Sequence, residues 1–142
     1  MLLDTDNDIA ALLKNTRTIA LEIASPKPHR DSYRVLCFLI DQGYEVYPIN
    51  PTYAGSEIAG CMVYGSLDDV PGPIDLVDIF RRSDQVMPIV SRAIELKAKA
   101  IWMQLGVINP DAASLAESAG LDVVMNRCPA IDIPKFRALG LL

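Results

Sequence analysis

Lys27, Arg30 and Arg34 crowd the segment that follows an apolar run at Thr18 to Ala24, and Arg81 and Arg82 follow a second such run at Ile74 to Phe80. Guanidinium and ammonium groups gathered on two loops suit a phosphate, which arginine meets with paired, charge-assisted hydrogen bonds. The chain carries a net charge of -5, which argues against a general affinity for nucleic-acid backbones. Any phosphate must therefore be held locally.

Other residues offer weaker chemistry. Glu22 lies inside the first apolar run, where a carboxylate is either paired, with Lys97 or an arginine, or set in an apolar pocket as a general base. Ser25 and Ser32 near His29 suggest a nucleophile and base, but no G-x-S-x-G elbow surrounds them. Cys128 beside Arg127 is a candidate reactive thiol. Cys37, Cys61 and Cys128 are widely separated and His29 is the single imidazole, so neither a zinc site nor a disulfide framework is supported.

These groups must be positioned by regular elements. Thr5 to Asp8 has capping-box spacing ahead of Ile9, Leu12 and Leu13, which predicts a short first helix. Strand one is expected at Thr18 to Ala24, broken by Ser25-Pro26-Lys27-Pro28. Asp31 or Ser32 then caps a helix with Val35, Leu36, Leu39 and Ile40 on one face, ended by Gly43. Glu45 to Asn50 reads as strand two, Met62 to Tyr64 as strand three and Ile74 to Phe80 as strand four. A helix capped by Ser83 or Asp84 leads to strand five at Ala100 to Gln104. Asn109-Pro110 starts another helix that Gly120 stops, strand six follows at Leu121 to Met125, and a short helix is expected around Lys135 to Leu139.

Strands alternating with helices predict an α/β fold with a doubly wound parallel sheet covered on both faces, in one domain spanning residues 1–142. The expected order is 3-2-1-4-5 with strand six at the edge, which opens a crevice between the carboxyl ends of strands one and four. The loop Ala24 to Arg30 leaves strand one at that crevice, and the next helix aims its N-terminal amides back toward it. No G-x-G-x-x-G follows strand one, which weakens NAD or FAD as ligands. No apolar run is long enough for a signal or membrane span, so a cytoplasmic protein is expected.

The segments ASPKP, SYRV, DQGYEVYPINP, VDIFRRS, IWMQLGV and VVMNRCP occur in this order between Thr18 and Pro134. Together they resemble the small single-domain bacterial CoA-binding proteins, whose Rossmann-like fold is similar to the CoA-binding N-terminal domain of the succinyl-CoA synthetase α subunit. The resemblance implies a CoA or acyl-CoA pocket formed by Ala24, Ser25, Lys27 and Pro28 after strand one, Asn50 and Pro51 after strand two, and Phe80 and Arg81 after strand four. Gln104, Gly106, Asn126, Arg127 and Cys128 would lie on the later rims, with Arg30 and Arg34 among the phosphate-facing cations. Cys128 beside Arg127 is then either a buried structural cysteine or a thiol able to form a disulfide with CoA.

The chain departs from that pattern at Glu22 and Ile23, where the family has an apolar residue and then glycine. Glycine there would let the backbone approach a phosphate and permits positive φ, so both residues are expected to weaken CoA binding. Lys97 stands where a helix-ending glycine is common, and Cys61-Met62 replaces polar residues. The leading reading is a non-catalytic CoA-binding protein that acts with neither nucleic acid nor membrane. The alternatives are a remodelled pocket, such as an engineered scaffold, with Glu22 as the general base of an enzyme, or an interaction protein that kept the fold and lost the ligand.

Overall fold

In a computed structural model describing residues 1–142, the chain forms α1 (Asp6–Lys14), β1 (Thr18–Glu22), α2 (Asp31–Asp41), β2 (Glu45–Ile49), β3 (Glu57–Ile58), β4 (Cys61–Met62) and β5 (Leu76–Ile79), then α3 (Val86–Glu95), β6 (Ala100–Met103), α4 (Pro110–Ser118), β7 (Asp122–Val124) and α5 (Pro129–Ala138). Five strands make a parallel sheet in the order β2-β1-β5-β6-β7. The central strands β5 and β6 are buried along their whole length, as a sheet covered on both faces requires.

Alternation of side chains divides the core into two layers. Ile19 and Leu21 of β1, Leu76 of β5 and Trp102 of β6 pack with Ile9 and Leu13 of α1, Leu36 and Leu39 of α2, and Phe136 of α5. On the other face, Ala20, Val77, Ile101 and Met103 meet Val90 and Ala93 of α3 and the small stripe Ala112, Ala113 and Ala116 of α4. Trp102 is fully buried, and its indole Nε1 donates to the Arg127 carbonyl at 2.8 Å. Truncating it to alanine would cost about 3–5 kcal/mol.

Three expectations are corrected. The third strand does not join the sheet as such: Cys61-Met62 pairs antiparallel with Glu57–Ile58, and only Tyr64 reaches β2, through a single bridge to Ile49. A two-residue hairpin turned by Ala59 and Gly60, both with positive φ, uses the ladder groups that an extended strand would have offered. The last helix begins at Pro129 rather than near Lys135, because proline at its first position needs no amide partner, and it runs on through Pro134. Finally, neither Asp31 nor Ser32 caps α2, and neither Ser83 nor Asp84 caps α3. The caps are Arg30 and Gln85, and a 3-10 turn at Ser83–Gln85 precedes α3.

Candidate functional site

The carboxyl ends of β1 and β5 open into a cleft of about 1150 Å³. Parallel pairing in register, Glu22 with Ile79, brings the loops after these strands to the same end of the sheet. Lys27 and Arg30 from the first loop, Arg34 from α2, and Arg81 and Arg82 from the second all line this cleft, and Asp31 is its one carboxylate. A chain of net charge -5 thus concentrates positive charge at one place.

Helix α2 starts at this cleft without a side-chain cap: Arg30 occupies the capping position and makes no capping hydrogen bond. Its first residues, Asp31 and Ser32, line the cleft, where unsatisfied amides and the positive end of the helix dipole favour an anion. The Asp31 carboxylate is engaged by Arg34 and Arg82 pairs with Asp84 at 3.3 Å, whereas Lys27 and Arg30 make no ion pair.

Two buried polar atoms on the cleft wall lack partners. Arg81 Nε is an unmet donor, and Gln104 Oε1, on a residue only 5% exposed, is an unmet acceptor. Leaving such groups bare costs about 1–3 kcal/mol each, more for a charged one, so both call for a ligand or water. The Arg81 guanidinium also stands 3.9 Å from the Glu22 carboxylate. Burial pushes the Glu22 carboxyl up from its ordinary value, and the charge of Arg81 pulls it partly back. Glu22 is itself absent from the cleft lining, and its partner is Arg81, not Lys97.

Of the residues expected at the ligand, the cleft gathers Ala24, Ser25, Lys27, Arg30, Arg34, Asn50, Phe80, Arg81, Gln104 and Cys128. Pro28, Pro51, Gly106, Asn126 and Arg127 lie outside the lining. Several of the expected residues fasten loops to one another. Asn50 Nδ2 donates to the Ala24 carbonyl at 2.7 Å, tying the β1 and β2 exits. The Gly106 amide donates to Asn126 Oδ1 at 2.8 Å, tying the β6 and β7 exits. Arg127 is held by Asp132 through both carboxylate oxygens, 2.8 and 3.1 Å, and by Asp6 at 3.3 Å, so its charge is already matched.

Sequence reasoning did not assign Tyr53, Phe38, Leu105, Ala130 or Ile131 to the lining. Ser83 was expected as a helix cap and instead joins the β5 and β6 exits: its hydroxyl accepts from the Ile108 amide at 2.9 Å, and its carbonyl accepts from Asn109 Nδ2 at 2.8 Å.

A family model described as CoA binding domain matches residues 17–134. The chain is 35% identical over 121 residues to the uncharacterized protein YneT of Bacillus subtilis (strain 168), covering 85% of this chain and 88% of YneT. Among solved structures, Prb, a PH1109 protein redesigned for binding, is similar with a TM-score of 0.89 at 40% identity, over 99% of this chain and 96% of Prb. A hypothetical protein from Pyrococcus horikoshii OT3 gives 0.88 at 40% identity, over 93% and 92% of the two chains. A Thermus thermophilus protein gives 0.88 at 31% identity, over 93% and 98%.

Proposed function

This chain belongs to the CoA binding domain family, and we propose that it binds CoA or an acyl-CoA, without catalytic chemistry of its own, at the switch point between β1 and β5. The observation that carries this reading is the pair of unmet groups, Arg81 Nε and Gln104 Oε1, on the wall of one cation-rimmed cleft. CoA offers phosphate oxygens to the first and amide N–H donors along its pantetheine arm to the second. Lys27, Arg30 and the uncapped start of α2 would hold the phosphates, and Phe80, half-buried on the same wall, would pack against an apolar stretch of the ligand.

The cleft volume of about 1150 Å³ lies just above the usual range of small-molecule sites and suits an extended nucleotide. A general-base role for Glu22 is less well supported, because its carboxylate lies behind the lining and faces Arg81.

Titration calorimetry with CoA, dephospho-CoA and NAD tests the reading. One CoA should bind per chain, dephospho-CoA more weakly through loss of a phosphate, and NAD not measurably. Absence of any CoA binding at millimolar concentration would overturn the proposal and favour an interaction protein on the same fold.

A further inference from the structure

The cleft changes character along the order of the strands. Over β1 and β5 its walls mix Lys27, Arg30, Arg34, Arg81 and Arg82 with the apolar Ile23, Phe38 and Phe80; over β6 and β7 they carry Leu105, Val107, Cys128, Ala130 and Ile131, with no charge among them. Leu105 follows β6 and Ile131 lies in the first turn of α5. The two are brought to one side because the β6 and β7 exits are tied together: Gly106 to Asn126, the Arg127 amide to the Met103 carbonyl at 3.3 Å, and Trp102 Nε1 to the Arg127 carbonyl.

Leu105 is 55% exposed and Ile131 59% exposed. Scattered exposed aliphatics need no explanation, but two that line the mouth of one cleft, continuous with a phosphate-suited end, mark an apolar subsite.

We infer that the apolar end over β6 and β7 receives an acyl chain, so that the protein selects acyl-CoA thioesters over free CoA. The inference rests on the CoA reading above and fixes the orientation of the ligand. Phosphates sit at the cationic end, the pantetheine arm passes Gln104 at the boundary, and the thioester and its chain lie between Leu105 and Ile131. The chain of the ligand and the two aliphatic side chains leave water together, which supplies the selectivity.

The test is calorimetry of the intact protein with CoA, acetyl-CoA and hexanoyl-CoA, repeated on the Leu105→Ser/Ile131→Ser double variant. Both positions are solvent-exposed, and such changes are usually well tolerated by the fold. Hexanoyl-CoA should bind the unmodified chain at least about tenfold more tightly than acetyl-CoA, given roughly fourfold per fully buried methylene. In the double variant that ratio should fall to about twofold or less, with a thermal melt confirming that the chain is folded.

Equal affinity for acetyl- and hexanoyl-CoA in a chain that binds CoA overturns the acyl subsite and leaves the CoA reading intact. A preference that survives the double substitution also overturns it. Failure to bind any of the three ligands overturns both readings. Sedimentation of the unmodified chain as a dimer that the double variant dissociates would assign these side chains to a second copy instead, and overturn the subsite.

Discussion

The guanidinium of Arg81 lies 3.9 Å from the buried carboxylate of Glu22, across the paired strands β1 and β5. If CoA binds at this cleft, the two oppose each other, because a carboxylate that engages Arg81 competes with a phosphate for the same cation. Glu22→Gln should therefore tighten CoA binding by roughly three- to tenfold at neutral pH, less than the full worth of a charge-assisted hydrogen bond because Glu22 meets Arg81 only at 3.9 Å. Calorimetry of the two chains at equal ionic strength checks this, and unchanged or weaker binding would show that Glu22 does not hold Arg81 away from the ligand.

Removal of the cation should act in the opposite direction. Arg81→Ala is expected to weaken CoA binding by about 1.5–3 kcal/mol, the range for a hydrogen bond to a charged group. It also strips Glu22 of its ion-pair partner, so thermal melts must accompany the titration. A folded variant with unchanged affinity would remove Arg81 from the site.

Asp78 offers a separate test of the core. Its side chain is fully buried between the Leu21 and Trp102 positions of the neighbouring strands, with both carboxylate oxygens unpartnered. Burial pushes its pKa well above the ordinary 3.8, so the folded state keeps the proton that the unfolded chain releases. The sign follows from linkage: the penalty is absent below pH 3.8, grows as pH rises above it by up to about 1.4 kcal/mol per unit, and levels off above the folded-state pKa. Asp78→Asn removes the ionisation, so its stability relative to the unmodified chain should increase with pH over that window. Parallel urea titrations across pH that gave a constant difference would show that Asp78 ionises freely in the fold.

Much of this arrangement was legible in the sequence because it follows from period and punctuation. The apolar runs around Leu21, Val77 and Ile101, separated by helical stripes, give a parallel sheet, and that topology gives the cleft. Charged loop residues such as Lys27 and Arg81 were legible for the same reason, since loops at the carboxyl ends of parallel strands must meet. Other roles were not. Whether Asn126 faces a ligand or holds the Gly106 amide depends on which loop neighbours it in space, and Asn, Ser and Arg serve both purposes with the same side-chain atoms. Ser83 and Arg127 illustrate the same ambiguity. The hairpin at Glu57 to Met62 was hidden because strands of two residues carry no alternation to read.

Lys97 provides a prediction independent of any ligand. It follows the end of α3, exposed, with φ of 61°, a left-handed conformation in which a β-carbon crowds the carbonyl oxygen. Lys97→Gly should relieve that strain and stabilise the protein by about 1 kcal/mol, or roughly 3–4 °C in Tm. Differential scanning calorimetry reads this directly, and a lowered Tm would mean that the lysine side chain contributes more than the strain removes.

The final prediction concerns Ile23, which lines the cleft half-buried beside Ala24. Its φ does not fall in the left-handed region, so a glycine here would matter through space alone: it would let a phosphate approach the loop backbone where a β-branched side chain now stands. Ile23→Gly should therefore bind CoA more tightly than the unmodified chain, while losing about 0.5–1 kcal/mol of stability through added freedom of the unfolded backbone, together with the packing of the removed side chain. The double variant Glu22→Gln/Ile23→Gly should bind more tightly than either single one, though not by the sum of their effects, since the residues adjoin and share one loop. Calorimetry of all four chains, with melts to confirm folding, separates the outcomes. If the unmodified chain already binds as tightly as the double variant, neither Glu22 nor Ile23 faces the ligand, and the phosphates lie away from the end of β1.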